Sequence, residues 1–127
     1  MAFRRREGDE MIELLDFYGK VIARIDGDII KDFYNQNEYL LTSDDVRDWH
    51  TRIVIYKRRG DSLHDIGGRL VYRFDGKLFK NFYGETLFRF ENNNIKEFVG
   101  GTIYKIRGNP TTWQVAVLIA LYVARKN

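Results

Sequence analysis

The stretch DFYGKVIARIDGDIIK, residues 16–31, decides the fold, because the chain repeats its pattern along most of its length. The same turn residues and apolar positions return in DIGGRLVYRFDGKLFK, residues 65–80, after two weaker copies. The six units are residues 16–31, 32–47, 48–64, 65–80, 81–96 and 97–109. Self-similarity at a fixed period is typical of repeat architectures, in which each copy forms one supersecondary unit.

Each unit contains two turns. Asp16 stands where a side chain accepts a backbone N–H two residues on, and Gly19 tolerates the positive φ of such a turn. Asp26-Gly27 in the middle of the unit is the strongest short-range hairpin signal. Apolar stretches separate the turns, so each unit is predicted to be a β-hairpin and the chain a meander of hairpins. The predicted turn residues are Asp16, Gly19, Gly27, Asp32, Asp48, Gly60, Asp65, Gly68, Gly76, Gly84, Gly100 and Gly108.

The hairpins are expected to share one core, because a single hairpin is not stable in water. The eighth and tenth residues of a unit, such as Ala23 and Ile25, lie one pleat apart and face the same way. We predict that these positions form the core together with the aromatic residue at the second position. They are Ala23, Ile25, Tyr39, Leu41, Tyr72, Phe74, Phe88, Phe90, Tyr104 and Ile106, with Phe17, Phe33, Trp49, Phe82 and Phe98 at the second position.

The second and third units fit the pattern least well. Glu38 stands where an apolar residue is expected, and Arg58 occupies the usually apolar tenth position. The run Thr42-Ser43-Asp44-Asp45 is also able to cap a short helix. We predict strands here, because Asp48-Trp49 keeps the phase of the repeat, and the register of the return strands stays open.

The alternation of a D-x-x-G turn, an apolar strand, an x-G turn and a short return strand resembles the four-fold beta-flower proteins. In that family of small, mostly bacterial proteins, similar hairpins surround a central axis, so the resemblance implies an architecture and no activity. It covers residues 11–109, and this chain departs from it by its six units and its C-terminal apolar segment. The predicted fold is mainly β: a meander of six tandem hairpins of about 16 residues around a common core, with one C-terminal helix.

Pro110 begins a different kind of segment. Thr111 or Thr112 is suited to cap a helix from Trp113 to Arg125, which is apolar on nearly all sides and therefore needs burial of every face. The predicted regions are a mobile N-terminal tail over residues 1–10, the hairpin domain over residues 11–109, and residues 110–127 as a helix packed on that domain or at a dimer interface.

Composition limits the cellular context. The 127 residues include no cysteine, so disulfides and thiolate metal sites are excluded, and the net charge is only +3. Basic residues cluster in short runs, of which Lys57, Arg58 and Arg59 are the candidate partner surface. No signal peptide is visible, and the apolar residues 115–123 are about half of the roughly 20 needed to cross a bilayer. We expect a soluble, cytoplasmic protein with no membrane association.

No arrangement typical of an active site or a metal centre occurs in the sequence. Turn formation explains the repeated carboxylates, and Asp26-Gly27-Asp28 is too short to supply a set of calcium ligands. There is no phosphate-binding loop or dinucleotide fingerprint. His50 replaces a turn tyrosine and His64 replaces a surface cation, so a catalytic pair is the disfavoured interpretation. We expect no cofactor, no metal and no enzymatic activity.

Two functions fit this pattern. A non-enzymatic structural or protein-interaction module is the preferred hypothesis. Nucleic-acid binding through a mildly basic surface is the alternative, since rings and cations interleave in Tyr72-Arg73-Phe74. Strand alternation, however, puts the rings on one face and the cations on the other, as in a half-buried sheet. Unpaired edge strands and the apolar helix predict a homodimer through the helix, whereas a closed ring that encloses the helix predicts a monomer.

Overall fold

The computed structural model describes residues 11–124, which form twelve antiparallel strands and one helix. The strands are β1 (Ile12–Asp16), β2 (Val21–Asp26), β3 (Ile29–Asp32), β4 (Asn37–Leu41), β5 (Asp45–Asp48), β6 (Val54–Arg59), β7 (Ser62–His64), β8 (Leu70–Phe74), β9 (Leu78–Asn81), β10 (Thr86–Glu91), β11 (Asn94–Glu97) and β12 (Thr102–Arg107). The predicted mainly-β fold of six hairpins is confirmed. The predicted mobile tail, residues 1–10, lies outside the described residues.

The strands form a closed barrel, because each pairs with its neighbours in sequence and β1 also pairs with β12. Consecutive strands are antiparallel, so the first turn of every unit lies at one end of the barrel and the second turn at the other. We call the first end the rim and the second end the base. The rim turns are residues 16–20, 32–36, 48–53, 65–69, 81–85 and 97–101.

The first strand of every unit carries a β-bulge next to the rim, at the seventh position of five units and at the eighth of the longer third unit. Ile30 pairs with Tyr39 but Lys31 pairs with Asn37, so Glu38 is the extra residue. The equivalent bulged residues are Ile22, Ile55, Val71, Leu87 and Ile103. Bulges occur at barrel rims because they redirect a side chain. Four of these six side chains, those of Ile22, Ile55, Leu87 and Ile103, pack against the core.

The C-terminal helix lies inside the barrel. It begins as α1 (Thr112–Leu118) and continues as a π-helical turn over Ile119–Val123, with Thr111 as the N-cap. Every hydrophobic side chain of residues 113–123 is buried against the inward-facing side chains of the strands. These twelve residues span roughly 18 Å at 1.5 Å per residue, close to the length of a six-residue strand. The helix therefore fills the barrel from base to rim.

The predicted core is right for the strands and wrong for the turns. Eighth and tenth positions are buried or pack against the buried cluster, as Ile25 and Phe74 illustrate. The second-position aromatic residues Phe17, Phe33, Phe82 and Phe98 are instead exposed, and Trp49 is half-buried. They lie beyond the last paired residues of each hairpin, where the barrel wall has ended and no inner face is available.

The two weakly fitting units are hairpins, with no helix between residues 42 and 49. Glu38 is accommodated because the Tyr122 hydroxyl, near the end of the helix, donates to its Oε1 at 2.7 Å. Arg58 turns toward the base, where its guanidinium lies 5.5 Å from the centre of the Trp113 ring. It also donates to the carbonyl oxygens of Ser43 at 3.3 Å and Gly60 at 3.2 Å.

We predict that Tyr122→Phe lowers the free energy of unfolding at pH 7 by about 1–2 kcal/mol, because Glu38 loses its donor inside the barrel. Burial in the barrel, followed by the hydrogen bond to the Glu38 carboxylate, raises the pKa of Tyr122 far above its usual range. The phenol of the unfolded chain ionises near pH 10, so wild-type stability falls as the pH rises above that value.

Urea denaturation at pH 7 and at about pH 10.5 measures both effects. The fall in the free energy of unfolding between the two pH values should be smaller in Tyr122→Phe than in wild type, because the variant lacks the phenol that ionises in the unfolded chain. Tyr18→Phe is the matched control, because Tyr18 is 91% exposed at the rim, and it should change neither value. Equal stability of Tyr122→Phe and wild type at pH 7 would contradict the assigned hydrogen bond.

Candidate interaction surfaces

Three of the rim turns share one hydrogen-bonding scheme. Oδ1 of Asp16 accepts from the backbone N–H groups of Tyr18 and Lys20, both at 2.9 Å. Asp32 makes the same two bonds, and Asn81 reproduces them at 3.0 Å in the fifth unit. The first residue of the turn therefore holds the loop, and the second and third residues point their side chains away from the barrel.

The predicted turn residues divide between the two ends of the barrel. Asp16, Gly19, Asp32, Asp48, Asp65, Gly68, Gly84 and Gly100 lie at the rim, and Gly27, Gly60, Gly76 and Gly108 lie at the base. All of these glycines except Gly100 have a positive φ. The turn of Gly100 keeps the bond from the N–H of Glu97 to the Gly101 carbonyl oxygen, at 3.2 Å, without a left-handed residue.

The large hydrophobic side chains that are exposed in the described part of the chain all lie in the rim turns. They are Phe17, Tyr18, Phe33, Tyr34, Ile53, Ile66, Phe82, Tyr83, Phe98 and Val99. Sequence reasoning assigned the second-position rings to the core and missed this surface. The signal that reveals it is the turn itself, because the two residues after a turn aspartate form the tip of the loop.

Two grooves open beside the rim turns. The first has a volume of about 440 Å³ and lies between Phe17 and Tyr18 of one turn and Glu97 of another, with Phe88 and Tyr104 also lining it. The second, of about 480 Å³, is lined by Leu87, Phe88, Glu97, Phe98, Val99 and Ala124. Both grooves are mainly apolar, with the Glu97 carboxylate as a shared polar group. Each groove has room for an apolar side chain of a partner.

Several rim rings are held by neighbouring rings or cations. The rings of Phe82 and Tyr83 lie 4.0 Å apart between their centres, as do those of Phe33 and Tyr34. The Arg52 guanidinium lies 4.3 Å from the centre of the Trp49 ring. Such contacts restrict ring motion, so less conformational entropy is lost when a partner binds.

The basic run proposed as a partner surface is divided by strand alternation. All three residues are exposed on β6, but Arg58 lies over the Trp113 ring at the base. Register places Lys57 directly opposite His64 on β7, and Arg73 on β8 directly opposite Lys80 on β9. The cationic surface therefore extends across four strands, which the linear sequence did not indicate.

The two histidines lie in different settings. His50 is exposed at the tip of a rim turn, and His64 lies in β7, where its Nδ1 is buried with no hydrogen-bond partner in the structure. Among residues 11–124, no group of three or more His, Asp or Glu side chains is placed to hold a metal ion. No helix within those residues is long and apolar enough to span a membrane.

Comparisons with known proteins gave no match: no family model fits the sequence, and neither curated proteins nor solved structures match the chain. The resemblance to the four-fold beta-flower proteins therefore stays a prediction from the turn residues.

Proposed function

We propose that this protein is a non-enzymatic interaction module that binds protein partners through its rim. One observation carries the proposal: all ten exposed large hydrophobic residues of the described chain lie in the six rim turns. Single exposed apolar residues are ordinary on a protein surface, but a collected set at one end marks a contact surface.

The rim has the composition of an interface centre. Phenylalanine and tyrosine each bury a large area on binding, and aromatic residues dominate binding hot spots. Tyr18 and Phe98 stand beside the two grooves, so an apolar side chain of a partner would contact a ring and fill a groove at once. The Asp16 carboxylate fixes the turn that carries Tyr18 before a partner arrives, which lowers the entropic cost of binding.

A displayed library of random twelve-residue peptides tests this proposal. Peptides selected on wild type are expected to carry aromatic or large aliphatic residues and to bind the double variant Tyr18→Ser/Phe98→Ser at least about tenfold more weakly, a loss of about 1.4 kcal/mol. The matched control is Tyr18→Phe/Phe98→Tyr, which keeps both rings and should retain binding. Peptides held equally by the serine variant, or no enrichment on wild type, would contradict the proposal.

We also propose a cellular location and weigh two oligomeric states for this module. A protein without cysteine suits the reducing cytoplasm, where we place the module. A homodimer through the helix competes with a monomer, because the helix is enclosed in its own barrel and β1 pairs with β12. Light scattering on the full chain separates the two.

A further inference from the structure

Charge is divided unevenly around the barrel. Residues 47–80, which include β6 to β8 and most of β9, carry nine Lys or Arg and four Asp, a surplus of five positive charges. Residues 11–46, which include β1 to β4, carry three Lys or Arg and eight Asp or Glu. The strand order of the closed barrel places these two groups on opposite sides. One side is therefore strongly basic, although the whole chain carries only +3.

Four cations on this side form a patch that we call the basic wall: Lys57, Arg59, Arg73 and Lys80. Lys57, Arg59 and Arg73 are exposed, and Lys80 is half-buried. Arg73 and Lys80 are directly opposite on neighbouring strands, where like charges destabilise a sheet. His64, opposite Lys57, adds a buried Nδ1 that has no hydrogen-bond partner in the structure.

The same repeat positions are neutralised in the first and fifth units of the barrel. In the first unit, Arg24 pairs with Glu13 at 3.0 Å and Lys31 pairs with Asp26 at 3.5 Å. Within residues 11–124, none of the four basic-wall cations has a carboxylate oxygen within 4.0 Å, although the Asp75 carboxylate is close enough to interact with the charge of Lys80. The acid opposite Lys57 is Asp45, and its carboxylate is already bound by Arg47 at 3.0 Å and by Thr42 at 2.9 Å. The basic wall is thus open to an external anion.

We propose that the basic wall binds the phosphate backbone of a single-stranded nucleic acid, with bases stacked on Phe82 and Tyr83. The rings follow Lys80 by two and three residues and are 55% and 76% exposed, which places them beside the rim end of the basic wall. Aromatic rings stack on unpaired bases of any sequence, whereas the bases of a duplex already stack on each other. A single strand therefore fits this surface better than a duplex.

Fluorescence anisotropy with a labelled fifteen-nucleotide thymidine strand tests the proposal on the full chain. With four phosphate contacts, the logarithm of the binding constant should fall with log salt at a slope of about −2.8, which is a loss of roughly 50-fold between 50 and 200 mM salt. Arg73→Gln/Lys80→Gln should remove about half of that slope. Phe82→Ser/Tyr83→Ser should weaken binding at least about tenfold at every salt concentration.

The repeat supplies matched controls on the acidic side of the barrel. Arg24→Gln/Lys31→Gln changes the same positions of the first unit, and Phe17→Ser/Tyr18→Ser changes the same turn positions. The first control should leave the salt slope unchanged, and the second should leave the affinity unchanged at every salt concentration. Equal losses in test and control variants, binding of a blunt duplex as tight as that of the single strand, or binding only to phosphatidylserine vesicles would overturn the proposal. The residues of the basic wall, Phe82 and Tyr83 differ from those beside the rim grooves. The experiments can therefore refute one proposal and leave the other standing.

Discussion

Removal of residues 110–127 is expected to abolish folding of the barrel. Ten of the twenty-four buried hydrophobic residues in the described chain belong to the enclosed helix, among them Leu118 and Ile119, which are fully buried. Truncating one such residue costs about 2–5 kcal/mol, and whole domains are stable by only about 5–15 kcal/mol. A barrel without its helix would also surround an empty apolar space. Circular dichroism should show loss of the β spectrum, and urea denaturation should show no cooperative transition.

Point variants make the same prediction measurable in a folded chain. Leu118→Ala is expected to lower the free energy of unfolding by about 3–5 kcal/mol, while Leu118→Met, which conserves volume, should cost less than about 1.5 kcal/mol. Similar small losses for both variants would contradict a helix packed on all sides.

Light scattering on the full chain and on the chain without residues 110–127 distinguishes a helix in the core of its own barrel from a helix at a dimer interface. With the helix inside its own barrel, the full chain is expected to be a 15.1 kDa monomer and the shortened chain to aggregate or unfold. A full-length dimer that becomes a folded monomer after truncation would assign the helix to a dimer interface instead.

The hairpins could be predicted because their signals are local. Asp16 and Gly27 mark turns within a few residues of the strands that they join, and their recurrence fixes the phase. Closure of the barrel is not local. It depends on β1 meeting β12, as in the pairing of Glu13 with Arg107, and no turn residue encodes that contact. The apolar faces of the helix predicted that it is buried on all sides, but only the closed sheet shows that the strands of its own barrel surround it.

The candidate surfaces were harder to predict than the fold. Hydrophobicity alone assigned Phe17 and Phe82 to the core, yet both follow a turn residue whose side chain binds the loop and leaves the tip in solvent. The basic wall needed the register, since Arg73 and Lys80 become neighbours only through strand pairing. Strand alternation correctly separated Phe74, inside, from Arg73, outside. The rings beside the cations come from the turns, which the alternation rule does not describe.

Gly108→Ala is expected to lower the free energy of unfolding by about 2–4 kcal/mol, more than any other glycine substitution in the turns. Gly108 has a φ of +109°, a conformation that costs an alanine about 1–2 kcal/mol. Its Cβ would also lie 2.9 Å from the Met11 carbonyl oxygen and 2.9 Å from Cδ1 of Ile12. The Ile12 side chain is in the core and the oxygen belongs to the backbone, so neither can move without disturbing the start of β1.

The glycines of the other base turns are the matched controls. Gly27 and Gly76 also have positive φ values, but nothing lies within 4 Å of an added Cβ at either position. Alanine there should cost only the backbone strain, about 1 kcal/mol. Urea denaturation of the three variants compares them directly. Gly108 stands where the last strand meets the first, so its excess loss measures how much the β1–β12 contact contributes to stability. Equal losses at all three positions would mean that β1 and β12 separate at little cost. That result would contradict a barrel held closed by the β1–β12 pairing.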